Sequence, residues 1–168
     1  MFARRILLAA LLIGFAPDVS SAQTGQQLLG QFNDWAAYTA TAGGGKVCFA
    51  ISQPKSRAPE GLNRDPAFLF VSHRPGDGVR DEVSVQVGFP LRPGSTVDVT
   101  IGSSTFQLLT QDQRGWSNGQ DDARLVAALR GAGEAKLAST SGRGNVTTDT
   151  YSLRGISAAL DRINSECR

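Results

Sequence analysis

Cys48 and Cys167 are the only thiols of the 168-residue chain, and His73 is its only imidazole. Those three residues bound most of the chemistry the chain could carry. An even pair of cysteines in an exported protein most simply forms one disulfide, with two free thiols or a metal site as the alternatives. A tetrahedral metal site would want further Cys or His at short spacing, and His73 has no such company. No metal and no cofactor is therefore expected. His73 could be combined on paper with an Asp and a Ser into a hydrolase triad, but such a triad is recognised by geometry, which spacing does not supply. No Gly-x-Ser-x-Gly nucleophile turn is expected either. His73 lies beside Arg74-Pro75 at a strand end, where a solvated or locally hydrogen-bonded imidazole is the ordinary outcome. No catalytic residue is assigned.

Several polar clusters invite a binding role. Ser141-Gly142-Arg143-Gly144-Asn145 could cradle an anion on converging N–H groups and a guanidinium fork. It sits between two strands and opens no helix, so a hairpin turn is the better reading. Gly43-Gly44-Gly45 reads likewise as a hairpin tip. Asn63-Arg64-Asp65 and Arg80-Asp81-Glu82 are either polar recognition edges or loop residues paired among themselves, and the second reading is preferred. Trp35 and Trp116 could anchor a partner, although large aromatics in a small domain more often fill the core.

The redox argument needs a compartment, and the N-terminus supplies one. Arg4 and Arg5 precede an apolar run from Ile6 to Ala16, and Ser20-Ser21-Ala22 offers small residues to a signal peptidase. That is the layout of a cleavable secretory signal over residues 1–22, with the functional domain over 23–168. The run is shorter than the roughly 20 residues a membrane span needs. Loss of Met1–Ala22 removes Arg4, Arg5 and Asp18, which leaves 15 basic and 14 acidic residues and a formal net charge of +1. Such a balance gives no reason to expect nucleic acid or anionic lipid as partner.

The elements that position these residues are mostly strands. Glu82 to Phe89 alternates apolar and polar residues, the period of a half-buried strand. Val97, Val99 and Ile101 repeat the alternation after a Pro93-Gly94 turn, and Thr105 to Leu108 follows. Ala67 to Val71 is apolar on both faces, as a strand buried on both sides would be. Val47 to Ile51 puts large residues on one face and Cys48 and Ala50 on the other, which leaves room there for a close neighbour. Further strands are expected at Trp35–Thr41, Ala135–Thr140 and Thr147–Tyr151. Helices are expected at Asp121–Gly131, with acids in its first turn and Arg in its last, and at the C-terminus. There Leu153, Ile156, Leu160, Ile163 and Cys167 share one helix face. That face turns inward and carries the Cys167 sulfur toward Cys48, so the expected disulfide would staple the last helix onto an early strand.

Taken together, the segments resemble the invasion-associated locus B family of exported bacterial proteins over essentially the whole mature chain. The resemblance is carried by Trp35, by Val47 through Lys55, by Val71-Ser72-His73-Arg74-Pro75, by Glu82-Val83-Ser84-Val85, by Gly102, Phe106 and the Trp116 region. It is carried above all by Asp149-Thr150-Tyr151-Ser152-Leu153-Arg154-Gly155 with Ala158-Ala159-Leu160 and the terminal Cys167. It implies a β-rich periplasmic or outer-envelope protein without recognised catalytic residues. The expected fold is mainly β, a sandwich-like single domain with two helices, the C-terminal one packed on a sheet. The expected function is non-enzymatic binding of a protein or envelope component, with a role in host-cell interaction or envelope stress. A periplasmic hydrolase whose site is invisible in the sequence is the alternative.

Overall fold

The computed structural model describes residues 25–168, so the expected signal over Met1–Ala22 lies outside the described residues. Eleven strands and two helices follow one another in a single domain. The strands are β1 (Gln27–Phe32), β2 (Trp35–Ala42), β3 (Gly45–Ser52), β4 (Ser56–Ala58), β5 (Phe68–Arg74), β6 (Val79–Gln86), β7 (Thr96–Ile101), β8 (Ser104–Gln111), β9 (Arg114–Trp116), β10 (Glu134–Thr140) and β11 (Val146–Ser152). Helix α1 (Asp122–Gly131) lies between β9 and β10, and α2 (Ile156–Glu166) ends the chain. All neighbours in the sheet are antiparallel, in the order β1-β2-β3-β5-β6-β9-β8-β7-β10-β11-β4.

That order forces the sheet to roll up. β3 and β4 stand third and eleventh in it, about 38 Å apart were the sheet flat with strands about 4.8 Å apart. Only Gln53-Pro54-Lys55 joins them, a link that reaches about 14 Å when fully extended. The two ends of the sheet therefore face each other across a shared core, which gives the sandwich-like form from one continuous sheet. Cross-ties fix the closure: Trp35 Nε1 donates to Ser152 O at 2.9 Å, Asp34 N to Arg154 O at 3.2 Å, and Lys55 N to Thr150 O at 2.7 Å.

The period-two strands point Leu69, Val71, Val83, Val85, Val97, Val99 and Leu108 into that core, all buried. α1 contributes Leu125, Val126 and Leu129. The expected stripe of α2 is buried in full, Leu153, Ile156, Leu160, Ile163 and Cys167 alike, and the helix packs against β1, β2 and β3. Its start depends on Gly155, whose φ is +93° and where a Cβ would come within 1.9 Å of Phe32 O. Among the described residues, no helix is long and apolar enough to cross a membrane.

One expectation needs correction, and one connection proves to be structured. Strand 67–71 is covered on one face only: Leu69 and Val71 are buried, while Phe68 and Phe70 are half-buried on the outside. The loop from Pro54 to Asp65 is not free connection, because β4 within it pairs with β11 in the register Arg57↔Asp149.

Candidate functional site

The inner face near the chain's end gathers the residues with reactive side chains. Cys48 on β3 is joined to Cys167 after α2 by a disulfide, with Cα atoms 6.0 Å apart and both residues buried. His73 on β5 is the register partner of Cys48. Its ring is fully buried, which replaces the solvated reading with the hydrogen-bonded one: Nδ1 accepts the Asp81 N–H at 3.0 Å. Burial pushes the imidazole below its ordinary value, against the pull of the Asp81 carboxylate. Asp81 itself has φ +60° and belongs to a bulge, since the β5–β6 register jumps from Ser72↔Glu82 to Arg74↔Val79. Arg80 in that bulge reaches α2, donating to Asn164 Oδ1 at 2.9 Å and to Cys167 O at 3.3 Å. Glu82 pairs with Arg74 through two bonds of 2.8 and 2.9 Å.

A nucleophile turn can now be tested directly. The spacing Gly-x-Ser-x-Gly does occur, at Gly115-Trp116-Ser117-Asn118-Gly119 between β9 and α1, contrary to expectation. It is not the strained elbow that exposes a nucleophile. Ser117 has no positive φ, and its Oγ accepts the Val83 N–H at 3.0 Å. Its other neighbour is Asp122, whose carboxyl burial pushes up. The only imidazole is turned to the Asp81 N–H, so no imidazole base reaches this hydroxyl.

The remaining polar clusters are structural in their contacts. Ser141–Asn145 forms the β10–β11 turn, with Ser141 N donating to Asn145 O and Gly144 N to Ser141 O. Gly43 and Gly44 turn β2 into β3 with positive φ. Arg64 is buried against Asp149, with an N–O distance of 3.1 Å, and Arg57 holds the other carboxylate oxygen at 3.2 Å. Arg57 also donates to Asp65 O and Val87 O, and Arg64 to Pro59 O. Burial pushes the Asp149 carboxyl up while the two guanidiniums pull it down. The pair seats the 54–65 segment on the barrel's end. Beside it lies a cleft of about 540 Å³ between Arg64, Phe89 and the Arg143 turn. Arg143 lines this cleft with its side chain exposed.

The outer face is a feature the sequence reading did not anticipate. Because Cys48 and Ala50 turn inward, Val47, Phe49 and Ile51 turn outward, half-buried. Register then lines up Ala36, Ile51, Phe70, Ser84, Trp116 and Leu109 across six strands. A parallel row starts Leu28, Tyr38, Phe49. Tyr38 and Phe49 stack at 5.4 Å, and Phe70 lies 6.2 Å from Phe49 and 6.1 Å from Phe68. Leu28 and Leu109, at the rows' ends, are 53% and 61% exposed. On this face Arg74 pairs with Glu82 and Lys55 with Asp34, while Arg114 beside Trp116 meets Gln86. Trp35 is a core residue, whereas Trp116 belongs to this surface. The signal that could have found it is the large-small alternation of 47–51, read on its large side.

Comparison with known proteins agrees with this architecture. A crystal structure of invasion associated protein B from Bartonella henselae is similar, with a TM-score of 0.53 and 19% identity over 82% of this chain and 95% of that one. At that identity the likeness speaks for the fold. No curated protein matches the chain. The model of the family described as Invasion associated locus B (IalB) protein matches residues 35–164, from the start of β2 into α2, with the bulge and most of the outer rows inside it. The chain belongs to the invasion associated locus B family.

Proposed function

We propose that the mature domain is a non-enzymatic protein of the bacterial periplasm or outer envelope that binds a protein or another envelope component. The observation that carries the reading is the outer face, where Ile51, Phe70, Trp116 and Leu109 stand in register with Ala36 and Ser84 across six strands. A cluster of half-buried and exposed aromatic and aliphatic side chains with polar neighbours marks an interaction surface, and no other element among the described residues packs on it. Burial of His73 and the engagement of Ser117 with Val83 support a binding role over hydrolysis. The Bartonella protein is named for invasion, and contact with a host cell or protection of a stressed envelope are the roles such a surface would serve here.

Site-specific photo-crosslinking in intact cells tests the reading. A crosslinker at Phe70 or Leu109 should capture one discrete partner, and the same group at Ser103, on the distant β7–β8 turn, should not. Phe70→Lys should abolish capture from Leu109 while leaving the melting temperature within a few degrees. Equal capture from both faces would remove the outer face from the argument. Turnover of ester, peptide or glycoside substrates, lost in His73→Ala, would favour the hydrolase instead.

A further inference from the structure

We propose that His73 is an acid-sensitive latch: neutral, it holds the β6 bulge that clamps the C-terminal end of α2; protonated, it lets that bulge and its clamp go. The inference does not depend on what the outer face binds.

The geometry fixes the proton. Nδ1 accepts the Asp81 N–H at 3.0 Å, so the neutral ring carries its hydrogen on Nε2. A second proton can only go to Nδ1, where it would confront the Asp81 N–H donor to donor. The bond that holds the bulge is then lost, and a positive charge stands in a fully buried site. Buried charge without a hydrogen-bonded partner is costly.

The surroundings do little to rescue that charge. From β6, the Asp81 carboxylate lies 3.9 Å from Nε2, outside hydrogen-bond range, and Arg80 adds a like charge. From β3, the register partner is half of a disulfide and does not titrate. From α2, the uncharged Asn164 amide lies near the ring and favours its charged form, though its Oδ1 already accepts from Arg80, and Glu166 is turned to Lys46 and Arg162. On β5 itself, Arg74 is taken by Glu82 and Asp77. Nε2 has no hydrogen-bond partner. Burial therefore prevails over the Asp81 attraction, and the ring's value lies below its ordinary 6.5.

Besides the Nδ1 bond, the bulge is held by Arg80 alone among its side chains. Asp81 sits at φ +60°, a conformation that is unfavourable for a non-glycine residue and persists only where its surroundings enforce it. Arg80, its neighbour, makes both bonds to the helix end. The disulfide keeps Cys167 tethered in either state, so acid loosens the seat and not the tether.

The sign follows from proton linkage. The released state has an imidazole of ordinary value, near 6.5, and the latched state a lower one. The latch is fully held above that ordinary value and weakens as pH falls through the lowered one.

The test uses the oxidised mature protein. Nitrogen-15 NMR of the single imidazole should show the Nε2–H tautomer at neutral pH and titration below 6.5. Hydrogen exchange, corrected for intrinsic rates, should show Asp81 amide protection falling about tenfold per pH unit from 6.5 down to that transition and levelling off below it. Protection in β7 and β8 should stay flat. His73→Asn, whose Oδ1 can accept the same N–H without titrating, should remove the pH dependence, and Arg80→Ala should show a loosened helix end at every pH. An Nδ1–H tautomer, titration at or above 6.5, or flat Asp81 protection between 6.5 and the ring's titration would overturn the latch. The two measurements on the unaltered protein decide it even where the Asn variant does not fold.

Discussion

Replacing both Cys48 and Cys167 by Ala removes the covalent staple without burying a hydroxyl in its place. The bond closes a loop of 119 positions, for which the chain-entropy relation gives nearly 5 kcal/mol, while measured disulfides more often contribute about 2–4. The lower range is the better guide here, because α2 also rests on Ile156, Ala159, Leu160 and Ile163, all buried and independent of the bond. At about 2–4 °C per kcal/mol for a domain of this size, the double variant should melt lower by roughly 4–16 °C. The loss should be uneven: past Ile163 the helix end is held by the staple, by Arg80 and by the exposed Lys46–Glu166 contact, so exchange should rise there first. Differential scanning calorimetry and hydrogen exchange read the two parts, with thiol counting on denatured, unreduced periplasmic protein as the covalent control. Two free thiols in that material, or a melting temperature unchanged in the double variant, would refute the reasoning.

Asp149→Asn leaves Arg57 and Arg64 facing each other without their shared carboxylate and should cost about 3–5 kcal/mol in chemical denaturation; a loss under 1 kcal/mol would mean that the backbone pairing of β4 suffices. Gly155→Ala should destabilise by at least about 2 kcal/mol, because its positive φ and the Phe32 carbonyl both oppose a Cβ, and an unchanged denaturation midpoint would count against that packing. Export with cleavage after Ala22 should give periplasmic protein whose mass begins at Gln23, and a retained 1–22 segment there would end the expectation.

Elements with long-period signals were legible before the fold was known. The alternation at 82–89 and the stripe from Leu153 to Cys167 each state which side faces inward, and the structure keeps those sides. Elements that exist only through partners were not legible. β4 is three residues between two prolines, and its pairing is specified by Arg57 reaching an aspartate 92 positions away. β1, with two glutamines, a glycine and a register irregularity, carries no clean period. The segment 47–51 was read from its small side, which located the disulfide partner face, while the large side turned out to be surface. Arg64 and Arg80 are expected to pair within their loops or with backbone, whereas their side-chain partners, Asp149 and Asn164, lie far along the chain and leave no local trace. The Gly-x-Ser-x-Gly spacing was overlooked, and its harmlessness is a matter of backbone angle that letters do not display.

The short link from β3 to β4 carries a consequence for the order in which the domain can be made. Hairpins β1–β2–β3 and β5–β6 can zip as soon as each is free, because their partners are consecutive or nearly so. β4 cannot: the strand it joins is β11, near the far terminus. Until that terminus arrives, the segment from Gln53 to Asp65 has no ladder to enter and Trp35 has no carbonyl of Ser152 to bind. Closure thus waits on β11, and a chain truncated before it lacks the strand that β4 pairs with.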